Sequence, residues 1–429
     1  MHMPPVQRIT VDLSDEIWQQ VFSHLRLTVP SHEQWVDFSS ERARLQALSS
    51  TCLVSKRFSR IAQPLLYQRL PELLFSRSSL RRSLAERPDL AGFVRHVHFG
   101  ESYMDEESVR RDVDAAMRTC PAALREQVRE MERSLRDGTG DAQDIAVAVF
   151  ILLMKNLERL SITVLDRYEY IISVVNGSAI PQGNPSSSGR AEDATPDNGP
   201  LTRLRVLTLS NWEGKDSVPM IDMWAMLKPP TLERFEGYSI KVCLWGLEQP
   251  SPPFTNQNLK EVQLLYSLVD ADGLQAILRL LPGLRKLRIA WGPPTVGDCD
   301  TLDLGLMGQV LRESAARELE VLDLDFRESF NYEQEETKGR LGSLWGLAGL
   351  KELSVQPTVL VGDTVSDWPD SDSEDDHNAP PLPLVDVLPE QPEYLCLYQG
   401  ARETEWTEED AKSLIGSERL PNLQTAVLR

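Results

Sequence analysis

Residues 271–289 read ADGLQAILRLLPGLRKLRI. Leu274, Ile277, Leu278 and Leu281 recur at helical spacing, which puts them on one face of a helix over Ala271 to Leu281. Pro282-Gly283 stops that helix, because proline has no amide hydrogen to continue it and glycine takes the turn easily. Leu284, Leu287 and Ile289 follow in the pattern apolar-x-x-apolar-x-apolar. The last two members are two residues apart, so they share one face of a short strand. Helix, stop and half-buried strand together spell one α/β unit.

Working outward, the same pattern recurs at Leu157/Leu160/Ile162, Leu204/Leu207/Leu209, Leu259/Val262/Leu264, Leu319/Leu322/Leu324 and Leu350/Leu353/Val355. Weaker copies are Val94/Val97/Phe99, Leu232/Phe235, Leu395/Leu397 and Leu423/Ala426/Leu428. Starts at 204, 232, 259 and 284 lie 28, 27 and 25 residues apart, and the next gaps are 35 and 31. That interval is at or slightly beyond the period of leucine-rich repeats. Asp141 to Lys155 reads as a further helix ahead of Leu157. One helix and one parallel strand per repeat would stack into a solenoid, because no single repeat can bury its own apolar face. The expected fold class is therefore α/β: an irregular leucine-rich-repeat solenoid with parallel strands on the concave face and helices outside. The asparagine ladder of regular repeats is missing. A doubly wound α/β domain also alternates helix and strand, but no phosphate-type glycine loop follows any strand.

A chain of 429 residues is long enough for two or three units. Its longest apolar run, Ile145 to Met154, is half the length of a membrane-spanning helix. Asp12, Asp15 and Glu16 stand where a signal peptide would be apolar. The expectation is a soluble protein of the cytoplasm or nucleus with no membrane partner. Cys52, Cys120, Cys243, Cys299 and Cys396 are scattered, with neither zinc-ligand spacing nor a disulfide framework. The net charge of −20 is uneven: residues 1–80 carry +2 and residues 360–429 carry −12. Such acidity argues against a nucleic-acid partner. Two stretches, 177–200 and 362–383, lack apolar periodicity and are expected to be mobile insertions.

Near the N-terminus Leu13, Ile17, Val21 and Leu25 fall four apart, with Trp18 and Phe22 beside them. Ser14 is placed to cap this helix, and Asp15 and Glu16 complement its dipole. After a polar stretch from Thr28 to Ser40, the residues Leu45, Leu48, Leu53, Val54, Phe58 and Ile61 continue the apolar pattern as two short helices, with Pro64 ending the last. A module of about sixty residues has little core of its own. Its large apolar side chains therefore serve either as a helical cap on the repeats or as a face that a partner completes.

Leu13 to Leu25, followed by Leu53-Val54-Ser55-Lys56-Arg57-Phe58 and Ala62-Gln63-Pro64-Leu65-Leu66-Tyr67, resembles the F-box of fungal F-box proteins. Ser14 stands where that family usually has proline. The resemblance implies an F-box over 8–70 and a repeat domain over 71–429. It implies that the F-box docks on the Skp adaptor and, through it, a cullin, while the repeats hold a protein substrate for ubiquitin transfer. Leu13, Ile17, Phe22, Leu48 and Val54 are the expected adaptor contacts, and Phe58 and Ile61 are assigned to internal core. A repeat scaffold that serves no ligase is the alternative.

No His-Glu-x-x-His, Gly-x-Ser-x-Gly or phosphate-binding glycine loop occurs. No catalytic residue, metal or cofactor is expected. His96 and His98 share a strand face but have no third ligand nearby. Asp323 and Asp325 also share a face, where paired carboxylates either do acid–base work or form binding surface. By strand alternation the concave face is lined by Arg159 and Ser161, Thr208 and Ser210, Glu236 and Tyr238, Lys286 and Arg288, Asp323 and Asp325, and Cys396 and Tyr398. This mix of charge and tyrosine suits protein recognition. Trp212 and Trp291, just past strand ends, are further candidates. Ser371 and Ser373, set among acidic residues, resemble an acidophilic-kinase site.

Overall fold

The computed structural model describes residues 13–26, 38–71, 77–100, 104–163, 168–177, 201–211, 218–243, 254–292, 302–313, 318–327, 337–362, 382–389, 391–399 and 406–429. The insertions expected at 177–200 and 362–383 lie, apart from their ends, outside these residues, as do Trp212, Cys299, Ser371 and Ser373. Two compact units divide the chain, Met1–Leu157 and Glu158–Arg429.

The first unit opens with three helices, α1 (Asp15–Ser23), α2 (Phe38–Val54) and α3 (Lys56–Gln68). Phe22, Leu48, Ile61, Ala62 and Leu65 are buried together, with Trp18, Leu25, Cys52, Phe58 and Leu66 packed against them. On α1 it is thus the stripe Trp18, Phe22 and Leu25 that faces inward, and the Ile17/Val21 stripe faces out. Ser14 takes the N-cap position without a side-chain cap bond. Ser55 caps α3 by accepting from the Phe58 amide. Pro64 does not end α3, which runs on to Gln68. A proline in a helix interior costs about 3 kcal/mol, and burial of Ile61, Ala62 and Leu65 around it offsets that cost.

Further along the unit, β1 (Arg69–Leu70) pairs in parallel with β2 (His96–Phe99). The apolar run found in the sequence is a helix, Ala142–Leu153, and is buried on all sides from Ile145 to Leu153. A helix that is apolar all round belongs in a core. Nearby, Arg81 and Asp112 form a buried ion pair at 2.8 Å, and Ser108 accepts a second bond from Arg81.

The second unit is α/β and is built on a parallel sheet. Its strands are β3 (Arg159–Thr163), β4 (Val206–Ser210), β5 (Arg234–Tyr238), β6 (Glu261–Val269), β7 (Lys286–Trp291), β8 (Val321–Asp325), β9 (Glu352–Val355), β10 (Tyr394–Leu397) and β11 (Thr425–Leu428). Each pairs in parallel with the next in chain order. A doubly wound sheet reverses its strand order partway, and this order never reverses.

Register explains the leucine pattern. Leu160, Leu207, Phe235, Val262, Leu287, Leu322, Leu353, Leu395 and Ala426 are aligned across the sheet, and all are buried. Just before each strand a carbonyl accepts from the amide of the next repeat: Lys260 N–H to Glu233 O (2.8 Å), Arg285 N–H to Lys260 O (2.9 Å), Glu320 N–H to Arg285 O (2.8 Å).

The connecting helix expected over Ala271 to Leu281 is present, and a second one follows that the sequence reading does not single out. Ala271–Leu280 is capped by Asp270, which accepts from the Gly273 amide at 2.6 Å. Leu304–Glu313 occupies the next repeat. Between β4 and β5 the connection is instead the 3-10 helix Met220–Leu227. Asn256, buried, bridges neighbouring turns by donating to the Leu227 and Pro229 carbonyls. Gly273 and Gly308 let their helices approach closely: a Cβ on either would sit 1.7 Å from the Val242 carbonyl oxygen or 1.9 Å from that of Leu341.

Candidate protein-binding surfaces

In the first unit α1 is tied to α3 by charge. Arg57 donates to Asp15 at 2.7 Å and to the Leu13 carbonyl at 2.6 Å, and Arg60 donates to Asp15 at 2.5 Å. Hydrogen bonding from Arg57 holds the Asp15 carboxyl below the usual range, against a weaker push from burial. With its core filled, the module still leaves large apolar side chains in solvent. Leu53 is 86% exposed, Val54 68%, Val21 46% and Ile17 43%.

These positions divide the expected adaptor contacts. Ile17 and Val54 are exposed, and Leu13 is half-buried. Phe22 and Leu48 are core residues; Phe22 stands in an aromatic trio with Trp18 (5.5 Å) and Phe58 (5.4 Å). Both are therefore buried in the helical core and not exposed at its surface. Val21 and Leu53, which are not among the expected contacts, are exposed as well.

In the second unit the residues between the buried leucines do share the opposite face, but much of that face is closed. Ser161, Thr208, Ser210, Glu236, Tyr238, Cys396 and Tyr398 are buried. At Thr208, Ser210, Glu236 and Tyr398 lateral pairing across strands contributes to this. Glu236 on β5 is 1% exposed. It accepts from Arg159 of β3 at 2.9 Å and from Thr208 of β4 at 2.9 Å, and pairs with Arg234 at 2.8 Å. Two arginines and a hydroxyl answer one buried carboxylate, which is what a buried charge requires.

A second cluster crosses β7 to β10. The Tyr398 hydroxyl donates to Asp323 at 2.8 Å, passing over β9, where the aligned residue is the small Ser354. Arg288 lies 3.1 Å from the other Asp323 oxygen as an ion pair. Asp325 accepts from Arg327 at 2.9 and 2.7 Å, and the Arg327 guanidinium stacks 4.3 Å over the Tyr398 ring. Burial pushes the Asp323 carboxyl up, while Tyr398 and Arg288 pull it back. Burial and the Asp323 charge push the Tyr398 hydroxyl up, so it remains a donor. Arg159, Arg288, Asp323 and Asp325 are half-exposed, and Lys286 is exposed.

Trp291 is not a surface residue. Its ring stacks on Phe326 at 3.9 Å and its indole N–H donates to the Val269 carbonyl at 3.0 Å. Leu287, Ile289 and Trp291 fall two apart on β7 and all are buried, so alternation along the strand turns the tryptophan inward.

No protein-family model matches the sequence, and no curated protein matches it. Among solved structures, the crystal structure of a Rad7 and Elc1 complex in yeast is similar. It is 12% identical, with a TM-score of 0.34, and the match covers 95% of this chain and 86% of that chain.

Proposed function

We propose that this protein is the substrate-recognition subunit of a Skp-cullin-F-box ubiquitin ligase and acts without catalytic chemistry of its own. In this reading α1–α3 are an F-box that docks on the Skp adaptor and so reaches a cullin. The parallel sheet and its connections are an irregular leucine-rich-repeat domain that holds a target protein, in the cytoplasm or nucleus. The target's effective concentration near the transfer machinery is thereby raised.

One observation carries the reading: a small helical module with a complete core exposes Ile17, Val21, Leu53 and Val54. Large apolar side chains on a soluble surface mark a contact site, and interfaces rest on a few such anchors. The strictly sequential parallel sheet supports the repeat assignment, because stacked repeats place each strand beside the one before it.

Co-purification with the Skp adaptor tests this, comparing the wild type with Ile17→Asp/Val54→Asp under a circular-dichroism check of folding. Capture by the wild type and loss by the folded variant is expected. Failure of the folded wild type to bind would remove the ligase reading. Adaptor binding without turnover of any trapped target would leave a repeat scaffold.

A further inference from the structure

A belt of cations lies on the rim of the second unit where the strands begin. Between β4 and β7 the rim carries Arg203, Arg205, Arg234, Lys260, Arg285 and Lys286 against the carboxylates Glu233 and Glu261. In a chain of net charge −20 this is a local reversal of sign. The acids offset it only in part. Arg234 pairs with Glu236 at 2.8 Å and Glu261 at 3.5 Å, Arg205 meets Glu233 and Arg285 meets Glu320 at 3.8 Å each, and the Lys260 ammonium donates to the Gln257 carbonyl at 2.7 Å. Arg203 and Lys286 are exposed and meet no acidic partner among the described residues.

The rim is also concave. A groove of about 750 Å³ runs past Arg203, Arg205 and Lys260, with Thr202, Thr231 and Asn258 as further polar groups and Glu158 and Glu233 in its wall. In the strand register Arg234 and Lys286 hold aligned positions with Glu261 between them, while Arg205, Lys260 and Arg285 each stand just before a strand. Neighbouring parallel strands are about 4.8 Å apart, so β4 to β7 covers roughly 14 Å, the length of four or five extended residues at about 3.3 Å each.

We infer that this rim binds a short acidic peptide segment, and, resting on the proposed function, that the segment belongs to the ligase target. Screening at cellular salt confines electrostatics to about 8 Å, so the local belt outweighs the remote net charge. A long polyanion fits worse. Beyond β7 the same positions turn acidic at Glu320, Glu352 and Glu393, with Lys351 already spent on Glu320, and Glu158 closes the other end. A nucleic-acid backbone extending past the belt would meet those carboxylates.

The test is fluorescence anisotropy on the full chain at about 0.15 M salt, with labelled hexaglutamate as probe and hexalysine and a single-stranded thymidine hexanucleotide as comparisons. Hexaglutamate is expected to bind, hexalysine not to, and added salt to weaken the binding. Arg203→Glu/Lys286→Glu should weaken it at least tenfold with an unchanged melting temperature, while Lys412→Glu, on a remote helix, should not. Absent binding, an unaffected folded double variant, or tighter binding of the hexanucleotide would each overturn the inference. Adaptor capture is measured in parallel. Capture without hexaglutamate binding overturns the rim site alone, whereas hexaglutamate binding without capture leaves the rim site standing and removes the ligase reading.

Discussion

Tyr398→Phe removes one hydroxyl and keeps the ring over which Arg327 stacks, so it isolates the bond to Asp323. That bond is 2.8 Å long and its acceptor is a carboxylate with 17% side-chain exposure. Hydrogen bonds to charged groups contribute about 1.5–3 kcal/mol. Arg288 remains beside Asp323 in the variant, so the low end applies and the loss at pH 7 should be about 1.5 kcal/mol. The pH dependence follows from the direction of the Asp323 shift. Burial raises its pKa above the unfolded value and the Tyr398 hydroxyl opposes that rise. A raised carboxyl gives stability that is fully present below the unfolded value, ~3.9, and is lost as pH rises through the folded value. Without the hydroxyl the folded value rises further, so the penalty is largest where Asp323 is charged and shrinks toward about pH 4. Urea unfolding followed by circular dichroism across this range measures it. In an Asp323→Asn background the same change should cost under about 0.5 kcal/mol. A penalty independent of pH, or one that survives in the Asn background, would refute the assignment of this bond.

Leu53→Ala/Val54→Ala should leave the melting temperature unchanged, because both side chains are mainly in solvent, yet weaken adaptor binding by about 2 kcal/mol or more, since burying each is worth ~1.5–3 kcal/mol; isothermal titration reads this. Arg81→Ala strands Asp112 in the core and should cost about 3–5 kcal/mol, with most of the loss recovered in Arg81→Met/Asp112→Leu, as seen in denaturant midpoints. Glu236→Ala leaves Arg159 and Arg234 facing each other without their carboxylate and should cost about 3 kcal/mol. Gly273→Ala drives a Cβ into the Val242 carbonyl and should destabilise by at least about 1–3 kcal/mol, measured as a fall in melting temperature.

Much of the second unit is legible in the sequence. Leu284, Leu287 and Ile289 specify a strand with one buried face because side chains alternate along it, and Pro282-Gly283 marks the stop before it. Those rules are local, so they need no knowledge of neighbours. The alignment of nine such strands also follows, since each carries the same apolar rhythm and can bury it only against another. What the residues between the leucines do is not local. Glu236 and Tyr398 read as surface by alternation, yet both are buried, because Arg159 and Asp323 reach them from strands 77 and 75 residues away in the chain. The same holds for α1, where two apolar stripes compete. Sequence periodicity puts Ile17 and Phe22 on one amphipathic helix, and only packing against α2 and α3 decides that Phe22 goes in and Ile17 stays out. Spacing along the chain was enough to specify the elements and their repeat. The tertiary structure alone decided which side chains remain free to meet a partner, because exposure depends on what lies across the strand and across the helix.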